Sequence, residues 1–239
     1  MELVYVPAGK FVRGSDDPKA PRDERPRREI EVSGFWIAKT PVTFGQFVRF
    51  AEVTGRKKPE AQWPQNVLYD YTKPVESVPA TVNWLDASAY AAWACGRLPT
   101  EAEWMKAARG DRDARVYPWG NAWDPAKAVG IEMTCQSRRT GLAVVGLIPA
   151  GASPCGVLDM AGNAFEWTGD WYASDAWAKS AAQDPTGPET GVNRVVKGGA
   201  YCFTEDFARI DARFLCDPTA ADWTPIGFRY VIPDSAARR

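Results

Sequence analysis

"VNWLDASAYAAWACGRLPTEAEWMKAARG", residues 82–110, carries two helical signals back to back. The first is expected over 85–95 and is closed by Gly96, a residue that ends helices readily. The second begins at Thr100. Thr100 and Glu103 form a capping box, in which each side chain satisfies the other's backbone N–H, and Pro99 stands just before the cap. Gly110 ends it. Toward the N-terminus, "GFWIAKTPVTFGQFVRFAEVTG" (34–55) repeats the logic with Thr43 and Gln46 as the box. Phe44, Phe47, Val48 and Ala51 supply an apolar helix face, and Gly55 is the stop. "MELVYVPAGKFVRGS" (1–15) alternates apolar and other residues around Pro7-Ala8-Gly9 and reads as a hairpin. Residues 56–80, rich in Pro, Lys and Tyr, read as a long irregular loop. Beyond "YPWG" (117–120) the helical signal fades into short segments punctuated by Gly, Pro and Asp. One domain spanning 1–239, with much irregular structure, is the expectation.

Bulk composition narrows the chemistry. At 239 residues the chain is long enough to bury a substantial core, and 25% charged residues is ordinary for a soluble globular protein. The net charge of −1 gives no electrostatic reason to expect nucleic acid or an anionic membrane as partner. The arginines of "PRDERPRREIEV" (21–32) alternate with acids and read as a solvated strand or loop. No apolar run of membrane-spanning length and no charged-then-apolar leader occurs, so a soluble, cytoplasmic chain is expected, with surface display left open. The five cysteines (Cys95, Cys135, Cys155, Cys202 and Cys216) show no C-x-x-C spacing, which points to reduced, mostly buried thiols. There is no histidine. That excludes Ser-His-Asp and Cys-His catalysis, histidine-held iron or copper, and most catalytic zinc sites. Eleven tryptophans ask for a structural explanation.

Eight segments occur in order between residues 4 and 231: "VYVPAGKFVRGS", "GFWIAKTPVTFGQF", "VNWLDASAYAAW", "RLPTEAEWMKAARG", "YPWG", "GVLDMAGNAFEWTGDWY", "RVVKGGAY" and "IGFRYV". Together they resemble the formylglycine-generating-enzyme (sulfatase-modifying factor) family. The resemblance implies an α+β fold, the variant of the C-type lectin fold found in that family. It has a small antiparallel sheet, two or three helices and long loops around buried tryptophans. On this reading Trp36, Trp84, Trp93, Trp104, Trp119, Trp167 and Trp171 are core residues, each needing a partner for its indole N–H.

The resemblance also says where chemistry would sit. Enzymes of the family oxidise a cysteine of their target protein to formylglycine, using two cysteines that hold Cu(I). Those positions lie four and nine residues after Gly199, where this chain has Phe203 and Ala208. Cys202 is adjacent to the first, but two-coordinate Cu(I) needs two soft thiolates. No copper is therefore expected, and a copper- or thiol-dependent oxidase using Cys202 stands as the alternative. Family calcium binding, carried over, gives a structural Ca²⁺ held by main-chain oxygens of Gly162 and Ala164 and the carboxylate of Glu166, with Asn163 nearby. A second family calcium site is expected to be lost at Val129.

A non-catalytic branch of the family serves as the variable proteins of diversity-generating retroelements. There a fixed scaffold displays hypervariable residues between a Gly-Gly-aromatic motif and a terminal "IGFR". This chain's frame is Gly198-Gly199-Ala200-Tyr201 and Ile226-Gly227-Phe228-Arg229. Within it, Cys202, Phe203, Thr204, Phe207, Ile210, Asp211, Phe214, Leu215 and Cys216, together with Trp223, are the expected binding surface for a protein or other macromolecular ligand. Arg209 and Arg213 are expected to brace the loop. Adenine-directed change of AAC codons cannot produce Lys, Gln, Glu, Met or Trp, and within 202–222 only Glu205 belongs to that set.

Overall fold

The helices form where their caps stand. In the computed structural model, which describes residues 1–58, 75–111, 114–132, 141–220 and 225–237, helix α1 spans Phe44–Thr54. Thr43 Oγ1 accepts the Gln46 N–H, Gln46 Oε1 accepts the Thr43 N–H, and Gly55 closes the helix in the left-handed conformation. Helix α2 spans Trp84–Trp93, capped by Asn83, whose side chain accepts the Asp86 N–H. It stops short of the expected Cys95 because Cys95 itself takes a positive φ of 60°. Helix α3 spans Glu101–Arg109 with the Thr100–Glu103 box intact and Gly110 at its end.

The fold is the expected α+β type with few helices, and among the described residues its strands form three small sheets whose pairings are antiparallel except one. β1 (Leu3–Val6), β4 (Phe35–Ala38) and β9 (Val231–Pro233) form one sheet, and β2 (Gly9–Arg13) and β3 (Arg28–Val32) form a second. A third, four-stranded sheet has the order β7-β6-β5-β8, from β5 (Phe165–Trp171), β6 (Arg194–Lys197), β7 (Phe214–Cys216) and β8 (Ile226–Phe228). It is mixed, because β8 runs parallel to β5 with Phe165 opposite Ile226. The N-terminal hairpin does not form. β1 pairs with β4 (Leu3 opposite Ala38) while β2 pairs with β3 (Gly9 opposite Val32). Pro7-Ala8 cannot supply the positive φ of a two-residue hairpin turn, so the chain passes from one sheet to the other. Two short helices, α4 (Ala176–Lys179) and α5 (Asp234–Ala237), complete the described elements.

Two clusters make most of the core. Phe47 and Phe50 of α1 and Tyr90 of α2 pack on Trp167 and Phe228 of the four-stranded sheet. Trp104 and Met105 of α3 pack with Phe11, Ile30, Phe35, Trp177 and Ile210. Each such side chain contributes on the order of 1.5–3 kcal/mol by leaving water. The indole N–H groups find acceptors: Trp104 on Glu166, Trp167 on the Val82 carbonyl and Trp177 on Glu101. The core assignment of the tryptophans holds for Trp104 and Trp167 and fails for Trp93, which is 43% exposed. Trp36, Trp84, Trp119 and Trp171 are half-buried.

Candidate functional site

The segment after Gly199 is held by its charges. Arg209 makes two bonds to Glu24 (2.7 and 2.9 Å), Asp211 two to Arg109 (3.0 and 2.7 Å), and Arg213 two to Glu101 (2.8 and 3.0 Å). Between them Ala208, Ile210 and Ala212 are buried. Lys197, also buried, donates to the Ala212 carbonyl at 2.6 Å. Burial alone would raise the Glu101 carboxyl, but Arg213 and Lys197 outweigh it and hold the group at about 2. The Asp211 carboxyl is likewise held below the ordinary carboxylate value by Arg109, against its burial. Arg209 and Arg213 thus brace the loop as expected.

Two residues expected on the surface belong to this bracing instead. Ile210 is 0% exposed and lies in the second core cluster. Asp211 is committed to Arg109 and to the Gly14 N–H. The partner that fixes Asp211, Arg109, lies 102 residues away, beyond the reach of a local reading.

Three of the remaining positions gather on one face. Phe203, Phe207 and Phe214 are half-buried and gather on Phe165 of β5. Phe203 meets Phe165 edge-on at 5.0 Å, and Phe207 stacks on Phe214 at 4.7 Å. Cys202 and Thr204 are exposed and Cys216 is half-buried. Leu215, 48% exposed, alternates with Phe214 and Cys216 on β7 and faces the other side of the sheet. Gly199 makes the arrangement possible at a φ of 72°, where a methyl group would lie 3.0 Å from the Phe207 carbonyl carbon. Trp223, like Cys135, lies outside the described residues.

At the two positions that the resemblance assigns to copper, Phe203 carries a phenyl packed on Phe165 and Ala208 a buried methyl. Neither offers a soft donor, so those residues do not fit Cu(I). Cys202 is exposed and hydrogen-bonds with the Tyr201 hydroxyl, and burial raises the thiols of both Cys202 and Cys216.

The expected calcium ligand Glu166 is 1% exposed and already heavily engaged. Arg229, itself 0% exposed, binds both its oxygens at 2.6 Å, and Trp104 donates to Oε2 at 2.8 Å. A carboxylate has about four lone-pair sites, so these three donors leave room on Oε1. Asp159 is the nearby second acid. Its carboxyl accepts the Gly146 N–H at 2.6 Å and is pushed up to about 6, by desolvation first and in part by Glu166. Asn163 is used elsewhere, exchanging hydrogen bonds with the backbone of Ala143, and its N–H donates to the Val129 carbonyl. With Gly162 and Ala164 the donor set is hard oxygen throughout, which suits calcium. Because Arg229 neutralises Glu166, the fit requires Asp159 to join Gly162, Ala164 and Glu166.

Comparison with known proteins agrees with this architecture. A family model described as a sulfatase-modifying factor enzyme 1-like domain matches residues 1–233, and the chain belongs to that family. The formylglycine-generating enzyme of Thermomonospora curvata is 33% identical, over 95% of this chain and 92% of that protein. The inactive C-alpha-formylglycine-generating enzyme 2 of Mus musculus is 32% identical, over 95% of this chain and 84% of that one. Among solved structures, Treponema denticola variable protein 1 superposes with a TM-score of 0.79 at 21% identity, covering 97% of this chain and 94% of the other. That likeness shows a shared fold. Among the described residues no helix is long and apolar enough to cross a membrane.

Proposed function

We propose that this chain is a ligand-binding member of its family that performs no oxidation. Its binding surface is Cys202, Thr204 and Cys216 beside the Phe203–Phe207–Phe214 cluster, with the exposed Leu215 on the reverse side of β7, and its ligand is a protein or other macromolecule. The observation that carries the proposal is the division of labour within 202–216. The backbone is clamped through Arg209, Asp211 and Arg213 by ion pairs to distant elements, while the exposed side chains take no part in that clamping. Apolar side chains exposed on a rigid loop are what interfaces use. In the sharper form of the proposal the chain is a variable protein whose exposed positions are diversified. Deep sequencing of the 3′ end of the gene across the source population tests this. Substitutions concentrated at codons 202, 204, 206, 215 and 217, with 198–199, 209–213 and 226–229 fixed, support diversification. An invariant loop removes that identity and leaves a binder of fixed specificity.

A copper- or thiol-dependent oxidase is the second reading, favoured by the 33% identity to an enzyme and by the exposed Cys202. Cu(I) titration separates the two. Stoichiometric tight binding abolished by Cys202→Ser overturns the non-catalytic proposal, and its absence sinks the copper form of the oxidase.

Structural calcium belongs to the same proposal, with Gly162, Ala164, Glu166 and Asp159 as ligands. Adding Ca²⁺ to chelator-treated protein should raise the thermal midpoint, since an ion that binds only the folded state stabilises it. A midpoint indifferent to Ca²⁺ and to chelator refutes the site.

A further inference from the structure

A cleft of about 680 Å³ opens beside the Arg194 end of β6. In it Arg194, the first residue of β6, is sandwiched between two indoles, its guanidinium carbon 3.7 Å from the Trp84 ring centre and 3.4 Å from that of Trp171. Both rings are fixed. Trp84 Nε1 donates to the Thr168 carbonyl at 2.8 Å, and the backbone of Gly191 lies close against Trp171.

The guanidinium itself is under-used. Among the described residues it makes one bond, from NH1 to the Gly169 carbonyl at 2.7 Å, while Nε has no partner. Arg97, Arg109, Arg209, Arg213 and Arg229 each hold a carboxylate. Arg194 holds none. The acid that acts on it, Asp170, spends its oxygens on the backbone N–H groups of Glu101 and Gly187. Burial lowers the pKa of Arg194, as expected of a cation that has lost water without gaining a counter-ion. Its planar fork matches a carboxylate, and a guanidinium held between aromatic rings is already positioned to receive one.

We propose that this cleft binds a single peptide carboxylate, with Arg194 as the ion-pairing group and Trp84 and Trp171 as its walls. The lining also holds Glu103, paired with Arg97, Asp170, committed to backbone N–H groups, and Asp184 and Glu189, so one carboxylate and not a run of acids is matched. The volume suits a few residues of peptide. The proposal stands apart from display by the 202–216 loop, although the two surfaces adjoin: Arg194 lies opposite Cys216 across β6 and β7, and the Trp84 N–H bonds the Pro218 carbonyl.

Tryptophan fluorescence titration tests it with four probes: triglutamate and triglutamine, each with a free and an amidated C-terminus. Triglutamate should give a saturable change with a Kd on the order of 1 mM, weakened by added salt. If amidation leaves it unaltered, the side-chain carboxylate is the ligand. If free triglutamine binds as well and its amide does not, the C-terminal carboxylate is. Arg194→Gln should weaken binding at least about tenfold, Arg194→Lys by less, and the exposed-site control Arg22→Gln should change nothing. Equal behaviour of all four probes, absence of saturation, or unchanged affinity in folded Arg194→Gln overturns the proposal. The probe comparison uses the unaltered protein, so it holds even if the Arg194 variants fold poorly.

Discussion

Replacing Asp211 by alanine should destabilise this protein far more than replacing its exposed neighbour Leu215. Arg109 has a side chain only 1% exposed, and it loses its counter-ion and two hydrogen bonds in that substitution. Removing one partner of a buried pair costs about 3–5 kcal/mol, because the other charge stays behind without compensation. Arg109 keeps the carbonyls of Val12 (2.7 Å) and Arg115 (3.1 Å), and Asp211 is itself 20% exposed, so the lower end applies. About 3 kcal/mol corresponds to a fall in thermal midpoint of about 6–12 °C for a domain of this size. Leu215→Ala touches a side chain 48% exposed and should stay within about 0.5 kcal/mol. Thermal unfolding followed by circular dichroism gives both values. The double variant Arg109→Met with Asp211→Leu should recover much of the loss, since it removes the stranded charge. An Asp211→Ala midpoint within about 2 °C of the unaltered protein, or equal losses from the two single variants, would refute the division between anchor and surface.

Stability should respond to pH in two opposed steps. Burial first, then the like charge of Glu101, pushes the Asp170 carboxyl up to about 6, so ionising it works against the fold, and stability falls as pH rises from about 4 through 6. Glu101, held at about 2, contributes stability that is present above its unfolded pKa of about 4.5 and is lost as pH falls toward 2. Urea unfolding should therefore show greatest stability at about pH 4, with up to about 3 kcal/mol of the gain over neutral pH missing in Asp170→Asn. An equal pH response in the two proteins sinks the assignment. Gly199→Ala places a side chain at a φ of 72° and 3.0 Å from the Phe207 carbonyl carbon, and should cost about 1–3 kcal/mol. A scanning fluorimetry midpoint equal to that of the unaltered protein would contradict the close approach.

What could be read from the sequence was what is local. The capping boxes at Thr43 and Thr100 and the stops at Gly55 and Gly110 act over three or four residues, and they stand where expected. Strand partnership is long-range, and there the reading failed. β1 and β2 look like a hairpin, yet β1 pairs with β4 and β2 with β3, each partner lying beyond the reach of a local pattern. The loop failed for the same reason. The acids and bases that turn Asp211 inward and fix Arg209 and Arg213 lie 102, 185 and 112 residues away in the chain. The charges at 209, 211 and 213, interleaved with small or apolar residues at 208, 210 and 212, were the available signal, although the chain turns at 209–212 through the Ala212 N–H to Arg209 carbonyl bond. Trp84 and Trp171 carried no local mark that their rings would flank a guanidinium.

If the loop is diversified, packing should grade the variation. Thr204 and Leu215 can change without disturbing neighbours. Phe203, Phe207 and Phe214 cannot, because each ring touches another of the three or Phe165 at 4.7 to 5.4 Å. Emptying one such position leaves a cavity that the others fill only in part, at a cost of about 2–4 kcal/mol for a half-buried phenyl. That is a large share of a domain's net stability. A population of sequences should therefore hold apolar residues at 203, 207 and 214, changing together where they change, while 202, 204, 206, 215 and 217 accept polar and apolar residues alike. The clamp explains why the exposed positions are tolerant: the backbone is held by Arg209, Asp211 and Arg213, whose partners lie outside the loop, so replacing a displayed side chain removes none of these ion pairs. Sequences in which position 207 varied as freely as 204 would mean that the phenyl quartet does not support the surface.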